Sequence, residues 1–245
     1  MNHTQTILSP ALRQAGLNCH AVFDIASITP EARERLIEAC PTAANYRQLI
    51  LIAHGGTAFW QALKASNLDL AGSDDAHPVD DFTVSIIEQF LHAEFAGVAY
   101  QIVYPCNEAS NNAINLQELG DLAGWHHPSP FMVGINASFG SWFAYRAVVL
   151  ANTDLPATLP VHTASPCDQC ADKPCINSCP AHALDDGQFN LLKCIGYRQQ
   201  PDSACKATCA ARSSCPVGRE HRYSDEQMRY HYGCSMRAIV AANKR

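Results

Sequence analysis

The chain has 245 residues and a mass of 26.7 kDa, enough for one large domain or two modest ones whose core needs no staples. Apolar residues make up 47% and charged residues 16%, against about 25% charged in an average soluble protein, which excludes a disordered chain; no run approaches the roughly 18–20 apolar residues of a membrane span. The net charge of −6 is split, with 15 acids and 6 bases in residues 1–160 but 8 acids and 11 bases in residues 161–245.

Taken in chain order, residues 8–17 read as a short amphipathic helix and residues 22–25 as a strand. Thr29 and Pro30 start a helix, as N-cap and first helical residue, and it stops before Pro41. The continuous apolar run 48–53 is expected to be a strand covered on both faces. His54-Gly55-Gly56 turns the chain into a helix over 57–65. Residues 66–77 form an acidic loop. Within it, Asp75-Ala76-His77-Pro78-Val79-Asp80 falls one residue short of a corrinoid-type Asp-x-His-x-x-Gly motif and reads as a loop with a helix-opening proline. The helix from Pro78 to about residue 95 carries Val79, Phe82, Ile86 and Phe90 as its buried stripe. A strand over 98–104 and a helix over 114–122 follow. Residues 131–136 and 142–150 read as two strands of a hairpin around 137–140. Alternating elements of this kind predict an α/β or α+β domain with helices on its sheet.

Pro156, Pro160 and Pro166 punctuate a linker, and cysteines then take over. Twelve cysteines are present. Cys19, Cys40, Cys106 and Cys234 stand alone and are expected to be small buried hydrophobes. The other eight fall within 49 residues. The N-terminus shows no secretory pattern, so a reducing, cytoplasmic setting with metal-bound thiolates is expected rather than disulfides. Ser224 and Gln227 form a capping box for a final helix. Its Met228, Tyr232, Ser235, Met236 and Ile239 share one face, and the basic tail 243–245 suits its C-terminus.

The first quartet is Cys167-x2-Cys170-x4-Cys175-x3-Cys179-Pro180. The second is Cys194-x10-Cys205-x3-Cys209-x5-Cys215-Pro216. The bacterial ferredoxin run is C-x2-C-x2-C-x3-C-P, in which the fourth cysteine ligates the other cluster. By that exchange rule Cys167, Cys170, Cys175 and Cys215 bind one [4Fe-4S] cluster. Cys179, Cys194, Cys205 and Cys209 bind the other. The competing reading is structural zinc, for which only the Cys167/Cys170 spacing is suited.

The stretch Ala123-Gly124-Trp125, Phe139-Gly140-Ser141-Trp142, Asp154-Leu155-Pro156 and the two quartets resembles the epoxyqueuosine reductases and the wider cobalamin-linked iron–sulfur reductases. The resemblance covers residues 98–220. It implies a nitroreductase-like α+β sandwich that holds a corrinoid (cobalamin), with a small C-terminal two-cluster ferredoxin-like module feeding it electrons. The organisation expected is an α/β domain over 1–160, the [4Fe-4S] module over 161–222, and a C-terminal helix over 223–245 packed on the body. Trp125, Trp142 and Tyr145 are candidates for cofactor binding. The family's acid in an Asp-Ser-x-Pro segment has no counterpart in the comparable stretch 105–110, which leaves Glu108, Asp121, His126 and His127 as weak catalytic candidates. The C-terminal repeats that hold tRNA in that family have no counterpart here, and the acidic first part also argues against nucleic acid. The partners expected are an electron-donor or acceptor protein and a small-molecule substrate, with no membrane. Two other readings stay open: a ferredoxin-like electron carrier with no catalytic site, and a zinc-stabilised interaction protein.

Overall fold

A computed structural model describes residues 9–70, 77–105, 114–185 and 187–242. The chain divides into two compact units. The first comprises Met1–Gly124 and Ala144–Val161, the second Trp125–Phe143 and His162–Arg245.

The first unit is a mixed α/β fold on a four-stranded sheet whose strands are Cys19–Asp24 (β1), Gln48–Gly55 (β2), Tyr100–Tyr104 (β3) and Phe143–Ala151 (β4), in the order β1-β2-β4-β3. The helix α1 (Pro10–Gln14) starts at Ser9, whose hydroxyl accepts from the Ala11 amide at 3.2 Å. The strand β1 (Cys19–Asp24) pairs antiparallel with β2 (Gln48–Gly55), Cys19 opposite Ala53 and Asp24 opposite Gln48. Every residue of β2 is buried, as its unbroken apolar run predicts. The expected cap of α2 (Pro30–Ala39) forms, with the Thr29 hydroxyl accepting from the Ala32 amide at 3.3 Å. The helix α3 (Ala58–Ala65) buries Phe59, Trp60 and Leu63.

The helix α4 (Pro78–Glu94) corrects one expectation. Its buried stripe is Val79, Phe82, Thr83, Ile87, Phe90 and Leu91, while Ile86 is only half-buried. Thr83 can enter the stripe because its hydroxyl donates to the Val79 carbonyl at 2.8 Å. The apolar row then continues four residues on, at Ile87.

The expected hairpin of residues 131–150 does not form. The strand β4 (Phe143–Ala151) pairs antiparallel with β3 (Tyr100–Tyr104), Tyr100 opposite Ala151. Residues 131–136 are not a strand. They make only isolated bridges, His127 to Ile135 and Asn136 to Gly140. The reason is local: the Asn136 side chain accepts from the Ser138 and Phe139 amides at 2.9 and 3.0 Å, and an Asx turn of this type takes the backbone out of a ladder. Residues 125–143 fold with the cysteine-rich unit. The helix α5 (Leu116–Leu122) is capped by Asn115, which accepts from the Glu118 amide.

The segment after β4 is docked, not free. Thr158 and Val22 bond in both directions, through the Thr158 amide at 2.8 Å and the Thr158 hydroxyl at 2.9 Å. Gln48 is buried, and its side chain makes four hydrogen bonds: donating to Asp24 and the Leu155 carbonyl, and accepting from Thr153 and the Leu155 amide, all within 3.1 Å. Its replacement strands several buried polar groups at once. Gln48→Leu is therefore expected to cost the first unit about 2 kcal/mol or more, read as a lower urea midpoint with an unchanged slope.

The second unit holds α6 (Pro174–Asn177), α7 (Leu191–Gln199), α8 (Ala210–Ser214) and α9 (Asp225–Ala242). Its core combines Phe131, Ile135, Leu184 and Ala211 with Cys175 and Cys215. Trp142, Tyr223 and Met228 form a second cluster, with Tyr232 against it. Ser224 caps α9 by accepting from the Gln227 amide at 3.2 Å. The reciprocal half of the expected box is absent, because the buried Gln227 side chain has no hydrogen-bond partner among the described residues. The tail 243–245 lies outside the described residues. No helix among the described residues is long and apolar enough to cross a membrane.

Candidate metal centres

The eight clustered cysteines line two separate recesses of the second unit. One is bordered by Cys167, Cys170, Cys175 and Cys215, walled by Phe131, Val217 and several prolines. The other, about 280 Å³, is bordered by Cys179, Cys194, Cys205 and Cys209. The first recess is the tighter, about 20 Å³. Among the described residues no group of three or more His, Cys, Asp or Glu side chains is drawn in closely enough to hold a metal ion. The thiols stand around recesses.

Short local devices set these positions. Cys175 sits in the one-turn helix α6, opened by Pro174. Cys209 precedes α8 and Cys215 follows it. Cys194 lies in α7, whose Asn190 cap accepts from the Lys193 amide at 3.0 Å. Cys167 of the first quartet and Cys205 of the second are held alike. The Ser165 hydroxyl accepts from the Cys167 amide and the Ser203 hydroxyl from the Cys205 amide, both at 3.2 Å. This Ser-x-Cys turn is a small internal repeat that cysteine spacing alone does not show.

The electrostatics group the thiols in the same way. Burial, then the charges of Cys215, Cys175 and Cys170, push the Cys167 thiol up to about 11. Cys175 is raised by burial, with Cys215 and Cys170 adding to it. Cys194 is raised by burial and then by Cys209, Cys179 and Cys205, while Arg198 pulls it down. Cys205 is also raised by burial, with Cys209 and Cys179 adding and Arg198 opposing. Thiolate ligands must shed these protons when a metal enters.

All eleven described cysteines are free thiols. Cys19 is buried in β1, as expected of a small apolar residue. Cys234 on α9 accepts from Arg237 at 3.3 Å. Cys106 lies outside the described residues, as do Glu108 and the Asp75-Ala76 part of the loop motif.

The remaining candidate residues are divided between the two units. Asp121 is exposed at the end of α5 in the first unit. Tyr145 is in the first unit, its hydroxyl raised by burial and then by the charge of Asp121. Trp125, His126, His127 and Trp142 are in the second unit. His127 bonds Thr163 at 3.3 Å. The His126 ring lies against Gly134, where a Cβ would overlap its Nδ1. Trp125 meets Phe143 edge to face at 5.9 Å. Trp142 is 1% exposed and packs under Arg212 and against Tyr223, as a core side chain does.

Two groupings have no precedent in the spacing of the sequence. In the first unit Asp80, Tyr104 and Arg146 interact electrostatically, and Arg146 also lies over Phe59 at 5.4 Å. Burial, against the opposing charge of Arg146, raises both Asp80 and Tyr104. In the second unit Arg198 and Arg212 are buried, and neither has a carboxylate partner among the described residues.

No protein-family model matches the chain, and no curated protein matches it in sequence. Solved structures do match. Epoxyqueuosine reductase from Bacillus subtilis superposes with a TM-score of 0.50 at 16% identity, over 89% of this chain and 67% of that one. A second epoxyqueuosine reductase structure gives 0.51 at 14% identity, over 89% and 68%. The C. elegans B12-trafficking protein CblC gives 0.49 at 17% identity, over 87% and 84%. At such identities the likeness with the two reductases is one of fold.

Proposed function

We propose that this chain is a cytoplasmic iron–sulfur oxidoreductase carrying two [4Fe-4S] clusters. Cys167, Cys170, Cys175 and Cys215 hold one, and Cys179, Cys194, Cys205 and Cys209 hold the other. One observation carries the reading: eight cysteines part four and four around two recesses, with each set drawing one member from the other quartet of the sequence. The donor chemistry suits the clusters, since four thiols serve each site and thiolates are their usual ligands. A buried cation, Arg198, lines the second recess and suits an anionic occupant. When bound, such a cluster supplies one-electron transfer. The chain's own part is to exclude water with Phe131, Leu184 and Val217, and to fix the sulfur positions through the two Ser-x-Cys turns.

The electrons would serve a site in the first unit, with a small-molecule substrate and a partner protein as donor. The fold likeness to epoxyqueuosine reductase supports a reductase-type role. A corrinoid rests on the family resemblance alone. Of the aromatic residues expected to face it, Trp142 is in a core, Trp125 belongs to the second unit and Tyr145 to the first.

Anaerobic purification with elemental analysis tests the proposal. Iron and sulfide of about eight each per chain are expected, with the broad visible absorbance of clusters. Colourless protein with stoichiometric zinc would overturn it. Cobalamin titration separates the enzyme from a simple electron carrier. A corrinoid that leaves its own spectrum and the protein's thermal stability unchanged favours the carrier.

A further inference from the structure

The two cysteine sets share a donor chemistry but not an electrostatic setting. Arg198, on α7, is 7% exposed and lines the recess of the second set. Its Nε donates to the Cys205 carbonyl at 3.1 Å, and its two terminal nitrogens donate to Ser235 Oγ at 2.9 Å and to the Tyr232 carbonyl at 3.1 Å. Its guanidinium lies 5.2 Å from the centre of the Tyr232 ring. Arg212, on α8, is 8% exposed. It donates to the hydroxyl and carbonyl of Ser141 and sits between Trp142 and Tyr223, at 4.8 and 4.9 Å from the ring centres. The Tyr232 hydroxyl lies near both Arg212 and the Cys209 thiol, whose charges act on it. All the oxygens these two cations meet are neutral.

Around the first set the balance is different. The cation lining that recess is Lys173, which is exposed. Asp168 lies close enough to raise the Cys167 thiol. A solvated lysine is screened, whereas a buried guanidinium acts through a low dielectric.

Adding an electron to a thiolate-bound centre adds one negative charge. Fixed positive charge and hydrogen bonds to sulfur favour the reduced form and raise the potential. We propose that Arg198, with Tyr232 beside it in the same recess, makes the Cys179–Cys194–Cys205–Cys209 centre the higher-potential of the two, so that an electron entering the chain comes to rest there. This rests on the two-cluster reading. The electron comes from a one-electron donor protein, which is oxidised by one as the centre is reduced by one. No bond breaks and no proton moves. Arg198 and Tyr232 are positioning residues, acting on the centre through the charge of the one and the hydroxyl dipole of the other.

The test is an EPR-monitored redox titration of the anaerobically purified full chain, with Cys179→Ala used to assign the second centre's signal. In the unaltered protein that signal should have the higher midpoint. Arg198→Gln removes the charge. It should lower that midpoint by at least a tenfold change in the reduction equilibrium, which is 59 mV for one electron, and leave the first signal in place. Arg198→Lys should restore most of the shift. Tyr232→Phe removes the hydroxyl near Cys209 and should lower the same midpoint by less, which keeps the test open if Arg198→Gln does not fold. Equal midpoints in the unaltered protein, or variants that move neither signal or both alike, overturn the inference. A chain without iron would instead overturn the two-cluster reading beneath it.

Discussion

Cys179→Ala is expected to leave a chain with about half its iron, four per molecule instead of about eight, and to remove the spectroscopic signal of the centre built on Cys194, Cys205 and Cys209. The signal of the other centre should persist. Sequence proximity alone predicts the opposite. Cys179 stands four residues after Cys175 and fifteen before Cys194, so a contiguous grouping would assign it to the first set. The structure lines the second recess with it instead. The physical reason is the turn of α6. Cys175 is the second residue of a short helix that ends at Asn177, Cys179 lies two residues beyond that end, and Pro180 follows at once. One thiol is directed to each recess. Cys215→Ala is the mirror experiment, since Cys215 follows α8 and lines the first recess. It should remove the first signal and spare the second. If Cys179→Ala silences the first centre, the exchange of ligands is wrong.

Much of this was legible in the residues, for identifiable reasons. A proline after a threonine marks a helix start from purely local chemistry, and α2 begins there. An unbroken apolar run marks a strand covered on both sides, and β2 is buried throughout. The expected division of the cysteines comes from the two Cys-Pro endings and the ferredoxin pattern, in which the fourth cysteine of a run serves the other centre. What stayed hidden depends on contacts distant in sequence. The apolar run 131–135 looks like a strand, yet Phe131 and Ile135 serve the core of the cysteine-rich unit, and the turn at Asn136 removes them from any ladder. Ile86 and Ile87 are adjacent, and the helical period alone admits either to the buried stripe; it is Ile87 that is buried. Arg198 and Arg212 look like ordinary basic residues of a basic segment. Their burial follows from partners on α9 and in residues 141–142. The linker reading of residues 152–158 missed its partner for the same reason, as Gln48 and Val22 lie more than a hundred residues away.

The largest loss of stability is expected from Gly218→Ala, which should destabilise the second unit by about 4 kcal/mol or more. Gly218 and Gly140 both adopt left-handed backbone, with φ of +64° and +60°. That alone disfavours a side chain by about 1 kcal/mol. The greater part of the loss is steric. A Cβ on Gly218 would overlap the carbonyl group of Phe139, and a Cβ on Gly140 would overlap the carbonyl of Val217. Both obstacles are backbone, so no rotamer change relieves them. The two loops therefore cross with nothing between them, and one loop carries Cys215 three residues before its glycine. The Phe139 ring packs on His221 at 4.7 Å across the same crossing. Forcing the loops apart should displace Cys215 from the recess it shares with Cys167, Cys170 and Cys175. Gly218→Ala should thus lower thermal stability and, in whatever protein still folds, weaken the first centre's signal before the second's. Gly196 is the control. It lies in α7 with nothing within 4 Å of its Cβ position, so Gly196→Ala should leave both signals intact and add up to about 1 kcal/mol through helix propensity. A Gly218→Ala protein as stable as the unaltered chain would show that the crossing is not as tight as these positions require.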